Sequence, residues 1–104
     1  MPAFRFHPEA ELEIQAALDW YEDQVPGLGA EFLEELKRIL DLTADTPLLW
    51  PVWPGVETAY KVRRALLSRF PFGVAYLLVG EEIRIYAVAH LSRKPGYWKD
   101  RRIR

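Results

Sequence analysis

The segment that most limits what this chain can fold into lies late in its sequence. Phe72-Gly73-Val74-Ala75-Tyr76-Leu77-Leu78-Val79 is apolar at nearly every position, the pattern of a central strand covered on both faces. Gly80-Glu81-Glu82 is a short turn. Ile83 to His90 then alternates, with Ile83, Ile85, Ala87 and Ala89 on one side and Arg84, Tyr86, Val88 and His90 on the other. The alternation predicts that the first set enters a core and the second faces chemistry. Tyr60 to Leu67 alternates too, setting Tyr60, Val62, Arg64 and Leu66 opposite Lys61, Arg63, Ala65 and Leu67. Ser68-Arg69-Phe70-Pro71 turns it into the apolar strand, so the three strands make an antiparallel meander.

What precedes the meander reads as its cover. Ala3 to His7 is a short first strand with Phe4 and Phe6 on one face, ended by Pro8. Pro8 suits the first turn of a helix, and Glu9, Glu11 and Glu13 are favourable near its positive N-terminal end. Ala10, Ile14, Ala17, Leu18, Tyr21 and Val25 recur at helical spacing. Pro26-Gly27-Leu28-Gly29 interrupts, and a second helical period follows through Phe32, Leu36, Ile39, Leu40 and Thr43. Two helices so tightly joined form an antiparallel hairpin. The glycines are punctuation and not a phosphate loop, because no strand precedes them and the nucleotide-binding spacing is missing. Thr46 to Val56 holds three prolines, which exclude regular helix or central strand; Trp50 and Trp53 on this connector are expected to close over the end of the core. The predicted fold is α+β: a short N-terminal strand, an α-helical hairpin, and a three-stranded antiparallel meander, all in one small twisted sheet.

With 104 residues, 50% of them hydrophobic, the chain suits a single domain over residues 1–104 ending in a basic tail at about 92–104. The absence of cysteine excludes a disulfide framework, a thiolate nucleophile and a cysteine metal site, and His7 and His90 alone make no metal centre. No metal or organic cofactor is implied. No apolar run reaches the roughly 20 residues needed to span a bilayer, and no signal-type segment opens the chain, so a cytoplasmic location without membrane contact is expected. The net charge of −1 hides a sharp division. Residues 1–60 carry 3 basic and 12 acidic side chains, a net of −9, and residues 61–104 carry 11 basic and 3 acidic, a net of +8. Either the second half faces a polyanion or an acidic partner segment, or acidic helices neutralise a basic sheet internally.

Several phrases of the chain, taken in order, resemble the RelE/ParE superfamily of toxins from type II toxin–antitoxin systems, in its ParE-like or plasmid-stabilisation branch. They are Phe6-His7-Pro8-Glu9-Ala10; Trp20-Tyr21-Glu22 ahead of Gly27-Leu28-Gly29 and Phe32; Arg63-Arg64 with Leu67 and Arg69-Phe70-Pro71-Phe72; and Ala87-Val88-Ala89-His90 leading through Arg93 and Pro95 to Tyr97-Trp98. The resemblance runs nearly end to end. It implies a helical hairpin against an antiparallel sheet and a cognate acidic antitoxin that covers the basic surface. It also implies one of two targets, ribosome-bound messenger RNA, which one class cleaves, or DNA gyrase, which the ParE class inhibits without cutting. An inactive antitoxin-binding relic is the third possibility.

Metal-independent RNA cleavage needs a base for the ribose 2′-OH, cations for developing charge, an acid for the leaving oxygen and often an aromatic ring. Imidazole titrates near neutrality, which suits His90 to either proton role. Arg64 and Arg84 offer guanidinium forks for phosphate, Arg93 adds one from the tail, and Tyr97 can stack or donate a proton. Resemblance to the nuclease branch implies a late His or Tyr and sheet arginines in such roles. His90, Arg64, Arg93 and Tyr97 are therefore the catalytic candidates, with Lys61, Arg63, Arg69, Arg84 and Lys94 as nucleic-acid or target-binding candidates. Each has a structural alternative. His90 can hydrogen-bond its own loop, Arg63, Arg64 and Arg69 can pair with the acidic first helix, and Tyr97 and Trp98 can pack the tail onto the sheet. Lys99, Arg101, Arg102 and Arg104 read as a solvated, mobile basic end.

Overall fold

Pro8 cannot continue a strand ladder but fits the first turn of a helix, and the chain changes state there. The computed structural model describes residues 3–103. Strand β1 (Ala3–Phe6) gives way to helix α1 (Pro8–Gln24), whose N-terminus is capped by His7 Nδ1 accepting the Glu9 N–H at 3.0 Å. Helix α2 (Leu28–Asp45) follows after three residues, and Gly27, at φ 90°, takes the left-handed conformation that turns the chain. Glu22 of α1 caps α2 by accepting the N–H groups of Gly27 at 2.9 Å and Gly29 at 3.1 Å. The helices touch most closely at Gly29, where an added Cβ would lie 2.8 Å from both Cδ1 and the carbonyl oxygen of Leu18.

After a long connector come β2 (Arg63–Leu66), β3 (Phe72–Val79) and β4 (Glu82–His90). The sheet order is β1-β4-β3-β2, with β1 parallel to β4 and the remaining pairs antiparallel. The expected α+β architecture with its helical hairpin is therefore the one found. Gly80 and Glu81 join β3 to β4, and Gly80 alone of the pair has positive φ, at 61°, as a type II′ turn requires. Tyr21 of α1, Phe32 of α2, Phe70 in the turn before β3 and Phe72 at its start form one aromatic cluster, with Tyr21 and Phe70 centroids 4.8 Å apart and Phe32 and Phe72 5.3 Å apart. Among the described residues no helix is long and apolar enough to cross a membrane.

Simple alternation along β4 fails at one residue. Ala75 of β3 pairs with Ala87, but Tyr76 pairs with Ile85, so Tyr86 is the extra residue of a β-bulge. The bulge reverses the faces beyond it. Ile83, Ile85 and Val88 enter the main core beneath the helices, whereas Ala87 and Ala89 enter a second, smaller core on the other face with Trp53, Val62, Ala75 and Trp98. The expected grouping of Arg84, Tyr86 and His90 is thus corrected. Arg84 and Tyr86 belong to the face away from the helices, and His90, paired with Phe72, belongs to the helix side.

The second core explains why β3 is apolar at so many positions, and it is built by segments without regular structure. Trp53 and Trp98 meet edge to face, with centroids 5.4 Å apart. The proline-rich connector does close over the core, with Trp50 against the main cluster and Trp53 in the second. It also borders β2, through Trp53 N–H to Val62 O at 2.9 Å and Arg64 N–H to Pro51 O at 2.9 Å. β2 is shorter than the alternation from Tyr60 to Leu67 predicts, because residues 60–62 bend away before reaching β3. The basic end is corrected as well. Arg101 is half-buried beside buried Trp98 and is not solvated as expected, whereas Lys99 and Arg102 are exposed; Arg104 lies outside the described residues.

Gly29→Ala is expected to destabilise the protein by about 1–3 kcal/mol through overpacking against the Leu18 backbone, a cost that outweighs a helix-propensity gain of about 1 kcal/mol. Denaturant unfolding checks this: a lower midpoint at unchanged slope is expected, and an unchanged or higher midpoint would show that the helices separate freely at this contact.

Candidate functional site

Past Phe6, β1 no longer covers the outer edge of β4, whose backbone groups there need other partners. Glu13, one turn beyond buried Ala10 on α1, supplies one: its Oε1 accepts the Val88 N–H at 3.1 Å. Arg101 supplies another, donating to the Tyr86 carbonyl at 3.0 Å while both its terminal nitrogens bond the Glu13 carboxylate at 3.0 Å. The Tyr97 hydroxyl donates to Glu13 Oε2, and Arg93 lies 3.6 Å from the same oxygen. The Arg93 guanidinium stacks on the Tyr97 ring at 3.7 Å. Glu13 and Arg101 are only 15% and 16% exposed at their side chains, so this is a largely desolvated ion pair.

Burial and the bond to Glu13 push the Tyr97 hydroxyl well above the ordinary tyrosine range, with Arg93 and Arg101 opposing more weakly. Burial disfavours the Arg101 cation, but its bond to Glu13 and the opposite charge outweigh this and hold its pKa above normal. On the other side of the main core, burial raises Tyr76 to about 12 against the opposing field of Arg63, and its hydroxyl donates to Pro47 O at 2.6 Å.

The sequence candidates are distributed around this centre. His90 closes β4 with its ring edge to face against Phe72 at 5.1 Å, and its Nδ1 accepts the Ser92 N–H at 3.0 Å, with Ser92 Oγ at 2.7 Å. Because Nδ1 accepts a backbone N–H, the neutral ring carries its proton on Nε2. Arg64 sits on β2 facing away from the helices, its guanidinium 5.5 Å from the Trp53 ring centroid and its buried Nε without a hydrogen-bond partner. Gly73 permits this stack, since a Cβ there would lie 3.0 Å from the Trp53 ring and 3.2 Å from Arg64 Cγ. Arg63 points to the helix side and donates to Trp50 O at 2.5 Å. Arg69 pairs with Glu31 of α2 at 2.9 Å, and its N–H donates to Glu35 at 2.8 Å, so the acidic partner is the second helix and not the first. Arg84 pairs with Glu82 at 2.7 Å on the face away from the helices. Lys61 and Lys94 are exposed and make no ion pair among the described residues.

Arg93 and Tyr97 are therefore brought together, whereas His90 and Arg64 lie on opposite faces of the sheet. Glu13 and Arg101 were missed as site residues. Glu13 had a readable signal, a carboxylate at helical spacing between two small residues of the buried face, Ala10 and Ala17. Arg101 had none, since nothing separates it from the neighbouring basic residues. Among the described residues no cluster of His, Asp and Glu is placed to hold a metal ion.

This α+β fold, a helical hairpin on a four-stranded mixed sheet, is RelE/ParE-like. No protein-family pattern matches the chain, and neither does any curated protein. Among solved structures it is similar to a chain of the chromosomal ParDE TA system from P. aeruginosa, at 19% sequence identity and a TM-score of 0.73, over 88% of this chain and 98% of that one.

Glu13→Gln leaves the Arg101 guanidinium buried without its counter-charge and is expected to cost about 3–5 kcal/mol of stability. A loss under about 0.5 kcal/mol in denaturant unfolding would show that the tail does not depend on this carboxylate. Alkali gives a second check. Unfolded tyrosine ionises near 10 and folded Tyr76 only at about 12, so the folded state holds that proton more tightly. Its stabilising effect is complete below about pH 10 and is lost as pH rises towards about 12. In a phenolate absorbance titration of the five tyrosines, Tyr76 and Tyr97 should ionise last, together with unfolding; simultaneous titration of all five near pH 10 in the folded state would contradict the burial described.

Proposed function

We propose that this chain is the toxin of a type II toxin–antitoxin pair, that a cognate acidic antitoxin neutralises it, and that it acts by binding DNA gyrase and not by cutting RNA. The fold shared with a ParDE system supports the first part. One observation carries the choice of binding over cleavage: the groups that RNA cleavage would need are separated and already occupied. The Tyr97 proton is committed to Glu13, Arg93 is stacked on Tyr97, and the His90 Nδ1 lone pair is taken by Ser92. His90 thus presents an N–H donor where a general base needs a free lone pair. Arg64, the other leading catalytic candidate, is on the far side of the sheet. In this reading Arg64 and Arg84, on the face away from the helices, together with the exposed Lys61 and Lys94, supply the cationic binding groups, and Arg93, Arg63 and Arg69 are held by contacts within the fold.

Inducible expression tests both parts. The expected result is growth arrest, loss of gyrase supercoiling in a purified assay and intact messenger RNA in cleavage-site mapping. His90→Ala should retain more than about half of the inhibitory potency, and Arg64→Ala should lose about tenfold, equivalent to one charge-assisted contact of about 1.4 kcal/mol. Transcripts cut by wild type and spared by His90→Ala would replace binding with ribonuclease action, and unimpaired growth with active gyrase would reduce the chain to an inactive relic.

A further inference from the structure

Helix α1 carries six carboxylates and no basic residue. The fold uses two of them internally, Glu13 at the C-terminal segment and Glu22 at the start of α2. Asp19 and Asp23 are exposed and make no ion pair among the described residues, and the hydrogen-bond donor to Asp19 is the neutral amide of Gln15, at 2.9 Å. Along the same side, the i, i+4, i+8 spacing aligns Leu12, Ala16 and Trp20. All three are exposed, Leu12 at 62% and Trp20 at 59%. A helix that packs one side on a sheet ordinarily turns a polar side to water. Here an apolar row crosses that side. At about 100° per residue, Asp19 and Asp23 stand within about 20° of the direction of Leu12, so carboxylates and apolar row form one surface.

The chemistry of this surface defines its partner. Its carboxylates repel nucleic acid and anionic lipid, and they oppose one another if two α1 helices meet face to face. What fits is a surface offering cations beside apolar groups, since a guanidinium or ammonium can lie over the Trp20 ring while it pairs with an aspartate. The chain carries such a surface itself. Residues 1–60 hold a net charge of −9 and residues 61–104 a net of +8. Lys99 and Arg102 are exposed, make no ion pair among the described residues, and line the same groove as Tyr60, which is 65% exposed. We infer that the outer face of α1, through Leu12, Ala16 and Trp20 with Asp19 and Asp23, docks on the cationic face of a second copy of this chain. The contact is head to tail, so each copy keeps a free pole and further copies add unless a ring closes. If the chain is the toxin proposed above, assembly covers part of the cationic surface and lowers the fraction free to bind its target; the docking itself does not rest on that reading.

Sedimentation velocity of the whole chain tests this. Average mass should rise with concentration at low salt and return to that of the monomer at high salt, where charge attraction is screened. Two variants each remove one pole: Trp20→Ala, Asp23→Asn on α1, and Lys99→Gln, Arg102→Gln on the cationic face. All four side chains are exposed, so folding is preserved, which circular dichroism checks. Each variant alone should associate about tenfold more weakly than wild type. An equimolar mixture of the two should form a one-to-one dimer and stop there, because only one sound contact can be made between them. A wild-type chain that stays monomeric at every concentration in low salt would overturn the assignment. So would association that either variant leaves unchanged, or a mixture that stays monomeric. A harmless chain that assembles would overturn the toxin reading and keep this surface, and a toxic chain that never assembles would do the reverse.

Discussion

One largely buried carboxylate holds this molecule together where helix, sheet and C-terminal segment meet. β1 is too short to cover β4 along its whole length, and an unpaired strand edge costs free energy wherever water is excluded. Glu13 answers that need from the neighbouring helix and at the same time receives Arg101, Tyr97 and Arg93. Helix, sheet and C-terminal segment thus meet on two oxygen atoms. A charge so enclosed is tolerable only because donors surround it, so the position of each donor is constrained by all the others.

The bulge at Tyr86 is the second organising device. It lets one strand serve two cores, giving Ile83, Ile85 and Val88 to the helices and Ala87 and Ala89 to the tryptophan pair. Alanines are needed on the latter side because Trp53 and Trp98 lie close over the sheet, and Gly73 is needed where Trp53 and Arg64 stack. The side away from the helices is consequently thin, aromatic and cationic, and the helix side is thick and acidic.

The parts legible in the sequence were those written in periodicity. Helical spacing from Ala10 to Tyr21 and from Phe32 to Thr43, the two-sided apolar run of β3 and the Gly80 turn all name their structures locally. The bulge was not legible, because alternation through Tyr86 looks unbroken and only the pairing with β3 shows the extra residue. β2 was overestimated for a related reason: Tyr60 to Val62 alternate correctly but leave the sheet to bond the connector. The candidate site was read in part. Residue types identified Arg93 and Tyr97 as neighbours of chemistry, yet the group that arranges them, Glu13, lies 80 and 84 positions away in the chain. Its buried place on α1 had a local trace in Ala10 and Ala17, but its partners had none.

The parallel pairing of β1 with β4 also sets an order of events during synthesis. Phe4 finds its neighbour at Ile83, and Glu13 finds Arg101, 88 positions further along the chain. Contacts of such separation close only after the intervening chain is available. On the ribosome the helical hairpin can form early, but its inner face stays uncovered until β3 and β4 emerge, and the seam at Glu13 stays open until residue 101 is free. β1 and Glu13 are therefore secured only after segments about eighty positions further along have been made.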